Sequence, residues 1–160
     1  MATMLAGTKI LVEALIKSGK ELKGMEFRNC TEEVMKKQEV TALFSNIKHI
    51  NHYLHFQDTP LFVTTIDYIL HEYNNQLKNP DLFQLSFVRC DLIDHYLHVL
   101  KEFFVKAGTV RLEENPRLTR EGFEKLIAFY KSQEKSGGLV VKDTTKDLSD
   151  LSWGNKFLFS

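Results

Sequence analysis

Three hexamers in this chain place an acid or amide four residues before a histidine. They are Ile50-Asn51-His52-Tyr53-Leu54-His55, Ile66-Asp67-Tyr68-Ile69-Leu70-His71 and Ile93-Asp94-His95-Tyr96-Leu97-His98, and all fit I-[DN]-x-x-L-H. Five of the six histidines fall inside them. On a helix, residues four apart share a face, so Asp/His pairs contributed by several helices of a bundle are one way to build a metal centre. Neutral imidazole and ionised carboxylate suit zinc or iron. The candidate ligands are His55, Asp67, His71, Asp94 and His98.

The same spacing has a plainer explanation, which we prefer. Relative to the isoleucine, the acid lies about 100° and the final histidine about 140° around a helix, at the border of the apolar stripe and not on a bundle axis. An acid preceding a histidine by four contributes a few tenths of a kcal/mol locally and needs no ion. Neither Glu-x-x-His nor His-Glu-x-x-His occurs. Cys-x-x-Cys, a Gly-rich phosphate loop and a Gly-x-Ser-x-Gly elbow are missing too. Cys90 with His95 or His98 is a nominal thiol/base pair, but five and eight residues along one helix are the wrong spacing for a reactive geometry. No catalytic residue is assigned.

The second candidate is a cluster. Trp153, Phe157, Leu158 and Phe159 lie in the last eight residues, after the polar spacer DTTKDLSD. The expectation is that they plug an open end of the bundle; they also suit anchoring a protein partner, since binding hot spots favour clustered aromatics, and the two roles are not exclusive.

The elements that would position these groups follow from periodicity. Apolar spacing predicts an all-α bundle of about five helices near 3–22, 31–56, 60–77, 81–107 and 119–135. The longest run, Asp81–Ala107, is taken as the central helix, N-capped by Asp81 and stopped by Gly108, with Ile93 at the centre of its apolar face. Asn29 or Thr31 is expected to cap the second helix, and Thr119 the fifth. Thr109–Leu112 is extended by composition, and Leu139–Val141 is a short strand that could pair with it. The chain thus divides into a bundle domain, 1–138, and a tail, 139–160.

Composition bounds the function. The 160 residues carry 21 Lys+Arg and 21 Asp+Glu, a formal net charge of zero, so a phosphate-neutralising nucleic-acid binder is disfavoured. A hydrophobic fraction of 43 % with twelve Phe is enough for a packed core. No stretch of eighteen apolar residues is present, so no membrane span is expected. Two cysteines, Cys30 and Cys90, do not make a disulfide framework and fit a reducing, cytoplasmic setting. The sequence therefore reads as a non-catalytic helical interaction module with a protein partner and no cofactor; a zinc- or iron-binding bundle is the alternative.

Overall fold

A computed structural model describes residues 2–3, 22–37, 40, 50–64, 66–67, 71, 83–106, 108–133, 137–154 and 157–160. It overturns the all-α bundle. Seven strands form one parallel sheet in strict chain order: β1 (Ala2–Thr3), β2 (Leu22–Arg28), β3 (Ile50–Gln57), β4 (Gln84–Val88), β5 (Thr109–Glu113), β6 (Gly138–Lys142) and β7 (Phe157–Phe159). Between them lie α1 (Glu32–Met35), α2 (Asp94–Lys106), α3 (Arg120–Lys131) and a 3-10 turn, Ser149–Leu151. The architecture is α/β.

Two expected helices are interrupted by strands. The described part of the second, 31–56, holds α1, a helical residue 40 and β3, and the central helix, 81–107, splits into β4 and α2. In Gln84–Val88 the buried residues Leu85 and Phe87 alternate with Ser86, a period of two that short apolar windows share with a helical stripe. The break between β4 and α2 is conformational. Arg89 and Asp91 adopt φ of 49° and 55°, a left-handed geometry that a helix cannot pass through. Ile93 is accordingly not the centre of a buried face; it is 38 % exposed.

Other expectations hold. Thr31 caps α1 by accepting from the Val34 amide, and Thr119 caps α3 by accepting from the Gly122 amide. The buried face of α3 is Phe123, Leu126, Ile127 and Tyr130. Thr109–Glu113 pairs with Gly138–Lys142, in parallel. Of the expected third helix, 60–77, the described residues 63–64, 66–67 and 71 are helical and 60–62 are not. The first helix falls outside the described residues, except that Thr3 and Leu22 belong to strands.

The topology explains where the core sits. Parallel strands laid down in chain order, with crossovers of one hand, bring the described helices onto one face of the sheet. That face carries two rows of buried side chains. Met25, Leu54, Leu85, Val110, Leu139 and Phe157 lie side by side in one; Phe27, Phe56, Phe87, Leu112, Val141 and Phe159 form the other. Phe27, Phe56 and Phe87 stack in series at 5.1 and 5.4 Å, each pair adding about 0.5–1.5 kcal/mol to the area it buries. Each turn of this solenoid can bury its apolar side only against its neighbours.

A second ladder runs where the chain leaves the sheet. Asn29, Asp58, Arg89 and Glu114 follow their strands with φ between 48° and 52°, and each donates its amide to the carbonyl at the end of the next strand over 2.7–3.0 Å. The residue after each, Cys30, Thr59, Cys90 or Asn115, is buried and turns inward. There the side chains of Thr59 and Asn115 supply oxygens to the backbone amides of Cys30 and Cys90, at 3.3 and 3.0 Å. The irregular turn thus satisfies its own buried polar groups. Neither Cys30 nor Cys90 is in a disulfide. With the β3 turn between them they are two strands, roughly 9–10 Å, apart, beyond disulfide reach.

Candidate functional site: the open face of the sheet

The described helices pack on the core side of the sheet, and among the described residues no helix covers its other face. Its side chains stand in rows set by the register. One row reads Gly24, Tyr53, Gln84, Thr109, Gly138; the next Glu26, His55, Ser86, Arg111, Val140, Leu158; the third Arg28, Gln57, Val88, Glu113, Lys142. Neighbouring strands are about 4.8 Å apart, so adjacent members of a row touch.

The face is pre-organised by hydrogen bonds between these rows. Arg28 donates from Nε to Glu26 Oε2 at 2.9 Å and from Nη1 to Gln57 Oε1 at 2.7 Å. Gln57 Oε1 also faces His55 Nε2 at 3.3 Å, while His55 Nδ1 lies 3.0 Å from Ser86 Oγ. Since Gln57 Oε1 already accepts from Arg28, it is the acceptor toward His55 as well. His55 then carries its proton on Nε2, and Nδ1 accepts from the Ser86 hydroxyl. Two strands over, Arg111 donates from Nη1 to Glu113 Oε1 at 2.7 Å. Serine between histidine and arginine leaves a dip of about 210 Å³ over β4, lined by Glu26, Tyr53, His55, Ser86, Arg111 and Glu113 among others.

The electrostatics follow from the same contacts. The Arg28 guanidinium, by its hydrogen bond, holds the Glu26 carboxyl below its ordinary value, and burial opposes this. Burial pushes the Tyr53 hydroxyl up. Tyr53 lies flat over β2 because residue 24 is glycine; a Cβ there would come within 2.5 Å of the ring. Both arginines of the face are paired within it, Arg28 with Glu26 and Arg111 with Glu113.

Ser86, His55 and Gln57 form a chain of the nucleophile–base–orienter type. Its third member is uncharged, Ser86 is 4 % exposed, and β4 is bonded to strands on both sides throughout this segment. The arrangement fixes the His55 ring and its tautomer. No family model, characterised protein or solved structure matches this chain. The site must be read from its own geometry.

The structure disperses the metal candidates. His55 lies on the open face; Asp67 and His71 are exposed on helical residues; Asp94 and His98 belong to α2, on the opposite side of the sheet. The Asp94 carboxylate is engaged by Thr119, accepting from its amide at 2.8 Å and from its hydroxyl. Among the described residues no group of three or more His, Cys, Asp or Glu side chains could hold an ion. The hexamers thus fall on a strand and on helices, with no shared structural role.

The terminal cluster divides in two. Phe157 and Phe159 are buried, stacking on Tyr130 at 5.2 Å and edge-on to Phe123 at 5.4 Å. Trp153 and Leu158 remain 44 % and 49 % exposed, Leu158 on the open face. Trp153 exchanges backbone bonds with Phe157, and the Ser152 hydroxyl bonds both backbone groups of Phe159. Ser152 and Trp153 thereby cover the outer edge of β7, where unpaired groups would recruit another strand.

Sequence reasoning missed Glu26, Arg28, Tyr53, Gln57, Ser86, Arg111 and Glu113 as members of one surface. The signal was there in the alternation of QLSFV and TVRLE, and in strand-and-turn units recurring at separations of 25–31 residues.

Proposed function

We propose that this chain is a non-catalytic interaction module that presents the open face of its parallel sheet to a protein partner. The observation that carries the reading is that uncovered face, whose polar side chains are already tied to one another at Arg28–Gln57–His55–Ser86. Side chains held in place before binding lose little freedom when a partner arrives, which is the usual advantage of a solenoid surface. Tyr53 and Arg111 are of the residue types that dominate binding energy. Paired charges, Glu26 with Arg28 and Arg111 with Glu113, leave no basic stripe on this face, which favours protein over nucleic acid. Among the described residues no helix is long and apolar enough to cross a membrane. The two buried cysteines, neither in a disulfide, fit a cytoplasmic setting.

The test is a comparison of faces. A photo-crosslinking residue is placed at Gln84 or Thr109 on the sheet, or at Glu33 on α1 as a control. The expected result is a partner adduct from the two sheet positions alone, weakened about tenfold by Tyr53→Ala or Arg111→Glu. Equal adducts from Glu33, or adducts indifferent to both substitutions, would remove the sheet face from the reading.

A further inference from the structure

On the opposite side of the molecule, α2 and α3 run side by side over the core with a cavity of about 400 Å³ between them, within the size range of small-molecule sites. Its floor is Leu97, Leu126 and Phe129, and its rim is His95, His98, Lys101 and Lys125 with Asp94 and Glu121. Gly122 sets the spacing: a Cβ there would lie 2.5 Å from Asp94 Oδ1, so the two helix starts close up on each other. The cavity lies further along.

The rim charges are unequal in what they have left to offer. Asp94 is held by Thr119, and Glu121 by Lys125 at 3.0 Å. Lys101 has no carboxylate partner among the described residues; its ammonium sits over the Phe129 ring at 5.0 Å. His95 and His98 are exposed and contact each other, ring centroids 6.4 Å apart. Both acids of the rim are therefore engaged, while among the described residues the Lys101 ammonium, beside two imidazoles, lines the apolar floor with no carboxylate paired to it.

From this we infer that the α2–α3 cavity binds a small amphipathic carboxylate, its apolar tail on Leu97, Leu126 and Phe129 and its anionic head on Lys101. The tail replaces water on the apolar floor, and the head gains charge-assisted hydrogen bonds from the Lys101 ammonium at the rim. Lysine stems can follow the tail while their heads remain at the edge. This site is separate from the sheet face and does not depend on its role.

The probes are decanoate, its cationic counterpart decyltrimethylammonium and neutral decanol, each titrated into the isotopically labelled full chain by NMR. Decanoate is expected to give saturable shifts centred on Leu97, Leu126 and Phe129. The cation should bind at least tenfold more weakly, with decanol between them. A Lys101→Gln variant, checked for native circular dichroism, should weaken decanoate at least tenfold and leave decanol unchanged. The inference fails if decanoate gives no saturable shift, if the shifts centre elsewhere, if the cation binds as well as the anion, or if the lysine variant binds decanoate as tightly as the parent.

Discussion

Asn115 Oδ1 accepts a hydrogen bond from the backbone amide of Cys90 at 3.0 Å, joining two turns of the solenoid that are 25 residues apart. The same side chain accepts from the Leu92 amide at 3.4 Å and donates from Nδ2 to the carbonyls of Phe87 and Glu113. Asn115 is 3 % exposed, so water cannot replace it.

Asn115→Ala leaves these backbone groups buried without partners, at a cost of about 1–3 kcal/mol for each that finds no other. The expected loss of stability is about 3 kcal/mol by urea unfolding, with an unchanged denaturant slope. A loss below about 0.5 kcal/mol would mean the turn does not depend on this amide.

Gly122→Ala tests the closeness of α2 and α3. Inside an ordinary helix, alanine for glycine stabilises by about 0.5–1 kcal/mol. Here the added Cβ meets Asp94 Oδ1 at 2.5 Å, so the sign should reverse to a loss of about 1–2 kcal/mol. In an Asp94→Ala background the obstacle is gone and the glycine change should become neutral or favourable. Thermal melts of the four proteins of this cycle measure the coupling. Additive effects would place the carboxylate elsewhere.

Ile93 and Leu97 separate the two readings of the central segment. A continuous helix 81–107 puts Ile93 at the middle of the core; the structure leaves it 38 % exposed and buries Leu97 to 2 %. Ile93→Asp should therefore fold, at a cost of about 1 kcal/mol or less, whereas Leu97→Asp buries an unpaired charge and should largely unfold the chain. Circular dichroism at matched concentrations distinguishes them, and unfolding by Ile93→Asp would contradict the break at Arg89–Asp91.

The Glu26–Arg28 pair predicts a pH dependence. The hydrogen bond from Arg28 depresses the folded-state value of Glu26 below the ordinary 4.5. A depressed acid binds its proton more readily when unfolded, so the pair's contribution is present above about pH 4.5 and is lost as pH falls through the folded value. Urea midpoints between about pH 7 and pH 3 should fall more steeply for the parent than for Glu26→Gln. Parallel curves would show that the pair adds nothing to stability.

Several local features were written in the sequence itself. Thr31 and Thr119 as caps, Phe123–Tyr130 as a buried helical stripe, and the extended character of 109–112 and 139–141 all depend on neighbours within a few residues. So does the helix stop at Gly108. The tertiary structure decided the rest. Leu85 and Phe87 become strand residues because β3 and β5 pair with them on both sides, and no window of the chain contains those partners. Arg89 and Asp91 hold positive φ within a network of turns spaced by 25–31 residues, which local propensity cannot foresee. His55, Ser86 and Arg111 form one row only after parallel pairing in chain order. Periodicity records which side of an element avoids water; which elements lie side by side, and which face stays bare, is set by hydrogen bonds between residues distant in the chain.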